Sequence, residues 1–175
     1  RDEKGMLRLY TFNYAEVSSL AVDPVEKKPL GRFYPGTLIL SAGSYGCNMK
    51  CLFCQNYHIA HEDPETLFIT PQDMLEKVRQ HRESIGLAFT YNEPTVWYEY
   101  VLDTAQLIKS EMPEKKIVLV TNGYINPEPL KKLLPYIDAM NIDLKGGDEF
   151  YGSICSGKMK EVMDSIRLAD EMGVH

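Results

Sequence analysis

Three of the four cysteines of this 175-residue chain lie in one short stretch, Gly46-Cys47-Asn48-Met49-Lys50-Cys51-Leu52-Phe53-Cys54-Gln55-Asn56. Three residues separate Cys47 from Cys51, and two residues separate Cys51 from Cys54. Such a stretch cannot be a disulfide framework, because one thiol stays unpaired and no signal segment indicates an oxidising compartment. Three thiolates on one short loop can instead converge on a single point, so the spacing predicts a metal centre.

Two kinds of metal centre are candidates for this loop. A structural zinc ion normally takes a closed set of four ligands, and His58, His61 or Cys155 would have to complete that set here. A [4Fe–4S] cluster held by three thiolates leaves one iron open to an outside ligand. The cysteine spacing fits zinc poorly, but the loop by itself leaves both alternatives open.

The composition limits what the rest of the chain can do. At 175 residues the chain can bury one sizeable core. Its 19 basic and 25 acidic residues give a formal net charge of −6, and no basic run indicates a nucleic-acid site. No apolar run approaches the ~18 residues of a membrane span, and no signal peptide is visible. We therefore expect a cytoplasmic protein that binds neither nucleic acid nor a membrane.

The pattern of apolar residues changes part-way along the chain. Residues 5–22 alternate as in a β-hairpin, and two proline-bounded breaks after them indicate a connector. Within that connector, we expect the charged run Glu26-Lys27-Lys28 to be a solvated loop. The pattern thus predicts an N-terminal hairpin and connector over residues 1–36 and a second domain over residues 37–175.

From Thr37 onward, short apolar runs alternate with amphipathic helical patterns. The predicted strands cover residues 38–42, 87–90, 117–120 and 140–144. Thr70, Pro71 and Asp73 are typical of a helix N-terminus, and Gly173 is placed to end the last helix. Four βα units in series predict an α/β fold, in which a parallel sheet with helical crossovers forms a partial (β/α) barrel.

Most polar candidates follow directly after a predicted strand. They are the cysteine loop after the first, Tyr91, Asn92 and Glu93 after the second, Thr121 and Asn122 after the third, and Asp143 and Lys145 after the fourth. In a parallel barrel these strand ends share one rim, where ligands bind. Taken alone, Glu93 is equally explained as a helix N-terminal charge. Asp143 and Lys145 alone are best explained as a strand-end ion pair of little energetic value.

The cysteine loop resembles that of the radical S-adenosylmethionine (SAM) enzymes, whose mark is Cys-x3-Cys-x2-Cys with an aromatic residue before the third cysteine, here Phe53. The resemblance extends over the whole βα region. Within that superfamily the chain is similar to the pyruvate formate-lyase-activating-enzyme-like branch, and in particular to the radical SAM enzyme of the AmmeMemoRadiSam group. The matching stretches are residues 23–30, 46–56, 90–94, 121–123 and 143–146.

The resemblance implies roles for individual residues. Cys47, Cys51 and Cys54 would each bind one iron of a [4Fe–4S] cluster. The residues expected to bind SAM are Phe53, Gln55, Asn56, Tyr91, Asn92, Glu93, Thr121, Asn122, Asp143 and Lys145. Asp143 and Lys145 correspond to the pair that meets the amino and carboxylate ends of SAM, a charge-assisted arrangement.

The sequence departs from relatives at two places. Tyr91-Asn92-Glu93 stands where many of them have Gly-Gly-Glu, whose backbone carbonyls receive the SAM ammonium group, so Glu93 is the secure part of that match. Val120 stands where glycyl-radical activases often have an aspartate. That second departure weakens a direct assignment as an activase.

The resemblance implies an enzyme that cleaves SAM reductively and uses the resulting 5′-deoxyadenosyl radical to take a hydrogen atom from a substrate. It names no substrate or catalytic residue, and a glycyl-radical-type protein is the nearest analogy. A flavodoxin or ferredoxin-type electron donor is the implied partner. The alternative, from another functional class, is a non-catalytic iron–sulfur or zinc-binding module derived from a partial radical SAM fold.

The resemblance also implies more chain before Arg1 and after His175. A partial barrel would leave the fourth strand with an unpaired edge and would leave the apolar interior face uncovered. We therefore expect either that the chain is part of a longer protein or that it self-associates through the edge of residues 140–144.

Overall fold

A five-stranded, mostly parallel sheet forms the centre of the computed structural model, which describes residues 11–175. The strands of the chain are β1 (Glu16–Val17), β2 (Ser19–Pro24), β3 (Leu38–Gly43), β4 (Leu67–Phe68), β5 (Ser84–Phe89), β6 (Lys116–Thr121) and β7 (Ala139–Ile142). The order in the sheet is β2-β3-β5-β6-β7. Strands β3, β5, β6 and β7 pair in parallel, which confirms the predicted α/β partial barrel.

Helices connect these strands. They are α1 (Tyr57–His61), α2 (Pro71–Gln80), α3 (Tyr98–Glu111), α4 (Pro127–Leu133), α5 (Asp148–Phe150) and α6 (Met159–Glu171), with a π-helical turn at Tyr151–Cys155. Helix α2 begins with the predicted capping box, because the Thr70 side chain accepts from Asp73 N–H and the Asp73 carboxylate accepts from Thr70 N–H. Over residues 11–175, no helix has both the length and the apolar character needed to cross a membrane.

Side chains of the parallel strands alternate between two buried layers. Leu40, Leu87 and Leu119 pack in a large cluster with Trp97 and Tyr100 of the helical side. Their strand neighbours on the opposite face, Ile39, Ala88, Val118 and Ala139, belong to a second cluster. Both faces of the sheet are therefore buried, as expected for parallel strands.

The second face is covered by the segment that precedes β3. Val25 and Phe33 of this segment are buried against the sheet. The side chain of Asn141 donates to the Pro29 carbonyl at 3.2 Å. The expectation of an uncovered apolar interior face is therefore wrong, because the connector folds across it.

The same segment contains a second correction. Lys28 is only 2% exposed, so the expectation of a solvated charged loop is wrong at this residue. Its ammonium group lies 3.0 Å from the carboxylate of Asp23, which explains how a charge can be buried there.

The N-terminal segment joins the main sheet. The first residues of the expected hairpin, including Leu7 and Leu9, lie outside the described residues. In the described part, β1 pairs antiparallel with β4, and β2 pairs antiparallel with β3. The division of the chain into two domains at residue 36 stays a prediction. Self-association through the edge of β7 also stays a prediction. At that edge, Met140 N–H donates to the His175 carbonyl at 2.9 Å.

Close packing of β5 against β6 yields a test of the sheet. A Cβ atom at Gly86 would overlap the backbone of Lys116, its partner in the parallel ladder. We expect Gly86→Ala to lower the free energy of unfolding by about 2–3 kcal/mol, because two backbones cannot separate without breaking the ladder. Urea denaturation measures the change.

Gly152→Ala is the matched control for Gly86→Ala. Apart from neighbouring residues of its own helical turn, no described heavy atom lies within 4 Å of a Cβ at Gly152. We expect its stability to be unchanged or slightly raised. Equal stability of the two variants would contradict the close approach of β5 and β6.

Candidate functional site

A cavity of about 380 Å³ opens where β3, β5, β6 and β7 end and their loops begin. Every residue predicted above to bind iron or SAM lines it, namely Cys47, Cys51, Phe53, Cys54, Gln55, Asn56, Tyr91, Asn92, Glu93, Thr121, Asn122, Asp143 and Lys145. Met49, Ala60 and Thr90, for which the sequence predicted no role, line it as well, and so does Val120. The polar strand ends thus meet at one rim.

Backbone hydrogen bonds hold the cysteine loop against the π-helical turn. Lys50 N–H donates to the Cys155 carbonyl at 2.9 Å, and Leu52 N–H donates to the Ile154 carbonyl at 3.1 Å. The side chain of Met49, in the cysteine loop, is buried in a cluster that includes Cys155 of the turn. The loop therefore has a defined shape although it carries no regular secondary structure.

Burial raises the pKa of two thiols of the loop, those of Cys47 and Cys51. It raises the pKa of Cys47 above its ordinary value. The pKa of Cys51 is raised to about 12, first by burial and then by contact with the side chain of Cys155. In the bare protein both thiols hold their protons at neutral pH, so a metal that binds them must displace those protons.

The arrangement of donors discriminates between the two metal centres. Within residues 11–175, no three His, Cys, Asp or Glu side chains are grouped closely enough to hold a single metal ion. A [4Fe–4S] cluster binds each thiolate through a different iron, so the thiols can stand apart. His58 is exposed beside Glu62, His61 contacts the Tyr57 ring, and Cys155 is buried behind the loop. These donors fit a cluster better than a zinc ion.

Glu93 is a buried carboxylate that joins two loops. It accepts the Thr121 hydroxyl at 2.6 Å and the Asn122 N–H at 2.7 Å. It also accepts the N–H of Thr95 at 3.0 Å and so caps the short 3-10 helix Pro94–Trp97. Burial raises the pKa of Glu93, while the three donors stabilise its ionised form. The helix-capping explanation is therefore correct, and the same carboxylate also faces the cavity.

The loop after β5 is fastened to the cysteine loop. The Asn92 side chain donates to the carbonyls of Tyr45 and Gly46 at 3.0 and 3.2 Å. The Asn56 side chain donates to the Tyr91 carbonyl at 2.7 Å. Asn122, from the loop after β6, contacts the Cys47 sulfur at 3.6 Å. Each loop of the rim thus restrains its neighbours.

Asp143 and Lys145 form an ion pair at the cavity wall, with 3.0 Å between Nζ and Oδ2. The side chain of Lys145 is 14% exposed and that of Asp143 is 52% exposed. Burial disfavours the ammonium, but its contacts with Asp143, Cys51 and Tyr151 outweigh burial and raise the pKa of Lys145. The Tyr151 hydroxyl fixes the local backbone, since it donates to the Asp143 carbonyl and accepts from Lys145 N–H.

Some site residues carried no local signal in the sequence. Phe150 follows the fourth strand at a distance, yet its ring lies 5.7 Å from that of Phe53 at the rim. Asp23 and Lys28 lie behind Tyr91, which donates from its hydroxyl to Asp23 at 2.7 Å. The resemblance of residues 23–30 to relatives pointed to Asp23 and Lys28, but it implied no role for either residue.

Comparison with known families decides the assignment. Residues 42–175 match the sequence model of a family described as "Radical SAM superfamily". The chain belongs to the radical SAM superfamily. Members of this superfamily use a [4Fe–4S] cluster and SAM, and the cysteine donors described above fit that cluster.

Two curated proteins are similar in sequence to this radical SAM chain. An uncharacterised protein of Methanocaldococcus jannaschii is 41% identical over 95% of this chain and 49% of its own length. A protein of the same organism, named as a candidate glycyl-radical enzyme activating enzyme, is 30% identical over 70% of this chain and 46% of its own length. The chain therefore spans about half the length of these curated relatives.

A solved structure supports the fold of this radical SAM chain. QueE from Escherichia coli superimposes with a TM-score of 0.50 at 12% identity, over 90% of this chain and 76% of that one. At this identity the likeness concerns the fold alone, and it supports the partial barrel.

The three donors to Glu93 give a test of how the site is built. Glu93→Gln keeps the side-chain shape but turns an amide NH₂ toward a buried donor. We expect it to lower the free energy of unfolding by about 2 kcal/mol, because buried donors then lack an acceptor. Urea denaturation provides the measurement.

Glu128→Gln is the control for Glu93→Gln. The side chain of Glu128 is 79% exposed and pairs with Lys131 on the surface of α4. We expect a change within about 0.5 kcal/mol. A Glu93→Gln protein as stable as this control would contradict the hydrogen-bonding role of Glu93.

Proposed function

We propose that this protein is a radical SAM enzyme in which Cys47, Cys51 and Cys54 hold the [4Fe–4S] cluster. When bound, the cluster and SAM supply one-electron cleavage of SAM and a 5′-deoxyadenosyl radical for hydrogen abstraction. The observation that carries the proposal is the single cavity into which the three thiols and the polar ends of three further loops open. A non-catalytic metal-binding module would have no use for the charged pair Asp143 and Lys145 in that cavity wall.

The cavity wall offers a complement to the amino-acid end of SAM. Asp143 and Lys145 neutralise each other at 3.0 Å in the bare protein. A zwitterion can take the place of that contact, with its ammonium on Asp143 and its carboxylate on Lys145. Lys145 is the more buried of the two, so its ammonium gains most from a bound carboxylate.

Glu93 contributes mainly by shaping the wall. Three of its roughly four acceptor positions are already used by Thr121, Asn122 and Thr95. One position remains for a donor in the cavity. Glu93 therefore fixes the loops after β5 and β6 and offers SAM one further hydrogen bond.

Phe53, Gln55 and Asn56 supply the side of the cavity that we assign to the adenosine part of SAM. The ring of Phe53 packs on Phe150 at the rim, which places an apolar surface at the entrance. An apolar entrance excludes water when the site is filled, which protects a reactive species from side reactions. The side chain of Asn56 has a second task, since it holds the Tyr91 carbonyl.

The substrate and partners are proposed from the family branch. A relative named as a candidate glycyl-radical enzyme activating enzyme supports a protein substrate, whereas Val120 in place of an aspartate counts against a typical activase. The reaction requires one electron from outside, and a flavodoxin or ferredoxin-type protein is the donor class we propose. Four unpaired cysteines favour a reducing compartment such as the cytoplasm.

Iron binding is the direct test of the proposal. After anaerobic reconstitution with iron and sulfide, we expect about four irons per chain and formation of 5′-deoxyadenosine from SAM with dithionite. Alanine at Cys47, Cys51 or Cys54 should abolish both, because each thiolate holds a separate iron. Iron analysis and chromatography of the nucleoside provide the readouts.

Cys155→Ala is the matched control for these substitutions. Cys155 is fully buried and lines the back of the loop, outside the cavity. We expect its iron content to equal that of the parent. Tight zinc binding without iron uptake in the parent would contradict the proposal.

Lys145 gives a test of SAM binding that is separate from iron. We expect Lys145→Ala to weaken SAM binding by ~2 kcal/mol, the value typical of a hydrogen bond to a charged group, with unchanged iron content. Lys158 is 73% exposed and makes a long contact of 3.9 Å with Glu161, so Lys158→Ala should leave the affinity unchanged. Equal affinities in both variants and the parent would show that Lys145 does not bind SAM.

A further inference from the structure

A buried ion pair lies beneath the site, outside the cavity. Lys28 is 2% exposed and Asp23 is 7% exposed, and 3.0 Å separates Nζ of Lys28 from Oδ2 of Asp23. Lys27, whose side chain is 65% exposed, contacts the other carboxylate oxygen at 3.1 Å. Burial of an ion pair is costly, and replacement by apolar residues is often neutral or stabilising, so stability alone does not account for this pair.

The pair faces Tyr91. The Tyr91 hydroxyl donates to Oδ2 of Asp23 at 2.7 Å, the same oxygen that contacts Lys28. The Lys28 ammonium also lies 5.1 Å from the centroid of the Tyr91 ring, within the range of a cation–π contact. Burial and contact with Asp23 raise the pKa of Tyr91 to about 12, so the phenol remains a donor at neutral pH.

Tyr91 has a backbone conformation that its side chain disfavours. Its φ is +74°, in the left-handed region that glycine adopts freely and a bulky residue rarely does. Such a conformation persists only where surrounding contacts hold it. Tyr91 occupies the first position of the stretch that is Gly-Gly-Glu in many relatives. A glycine adopts a positive φ without strain, whereas Tyr91 needs side-chain contacts to stabilise the same conformation.

The conformation of Tyr91 matters to the cavity. Tyr91 lines it, and its carbonyl is held by Asn56 at 2.7 Å. The next residue, Asn92, ties the same loop to the carbonyls of Tyr45 and Gly46. A rotation at Tyr91 would therefore move the carbonyl groups of this loop and loosen the cysteine loop at Asn56.

We propose that Asp23 and Lys28 are positioning residues which hold Tyr91, and through it the carbonyl groups of residues 91–93, in the arrangement that binds the SAM ammonium group. This inference rests on the proposed function. Asp23 supplies the acceptor, and Lys28 neutralises it and fixes it in place. Through the side chain of Tyr91, these two residues of the N-terminal segment act on the site.

The first experiment compares two Tyr→Phe substitutions in anaerobically reconstituted protein. Tyr91→Phe removes the hydroxyl and keeps the ring. Tyr34 is the matched control, because it also has a positive φ of +44° and lies beside a lysine, with Lys116 5.6 Å from its ring centroid, but does not line the cavity. We expect about tenfold weaker SAM binding for Tyr91→Phe, an affinity within about twofold for Tyr34→Phe, and equal iron content.

A second pair of variants separates positioning from stability. Asp23→Leu with Lys28→Met replaces the ion pair by apolar groups of similar size and leaves no acceptor for Tyr91. We expect its urea midpoint to be equal to or above that of the parent, and its SAM affinity to fall about tenfold. Asp23→Asn with Lys28→Met restores an acceptor oxygen, and we expect it to recover an affinity within about twofold of the parent.

The outcomes distinguish the inference from the function on which it rests. A parent protein that takes up iron but binds no SAM would overturn the proposed function and this inference together. A parent that binds SAM, with Tyr91→Phe equal to it, would overturn the inference alone. If the apolar double variant does not fold, Tyr91→Phe still decides the inference, because that substitution removes one oxygen atom only.

Discussion

Parallel pairing of β3, β5, β6 and β7 forces four strand ends, and the loops that follow them, to the same edge of the sheet. Nothing in the cysteine loop alone would bring Glu93 or Lys145 near the thiols. The crossover helices bury one face of the strands and the segment before β3 buries the other, which fixes the register that keeps the four ends level. The site of this radical SAM protein depends on that backbone arrangement before it depends on any side chain.

Much of this arrangement was predictable from the sequence, because its determinants are local. A buried strand followed by a polar loop can be recognised without knowledge of its neighbours, and the capping box at Thr70 and Asp73 is a four-residue pattern. The residues of the rim were found in this way. The rule that parallel strand ends share one edge then placed them together.

The features that escaped prediction depend on distant partners. The run Glu26-Lys27-Lys28 has the composition of a solvated loop. Contacts with Asp23 and with the distant Tyr91 compensate for the cost of burying the Lys28 charge. The position of the cysteine loop is likewise held by backbone contacts to Ile154 and Cys155, far along the chain. The apolar interior face is covered by Val25 and Phe33, whose segment carries no regular pattern.

The long sequence separation of these contacts has a consequence for biosynthesis. Asp23 and Tyr91 are 68 positions apart, and Cys47 and Asn122 are 75 positions apart. Contacts of such high contact order form late, after the entropy of large loops has been overcome. On the ribosome the cysteine loop is made well before Cys155, whose carbonyl anchors Lys50. The three thiols of this loop are therefore made before the residues that anchor the loop in the folded protein.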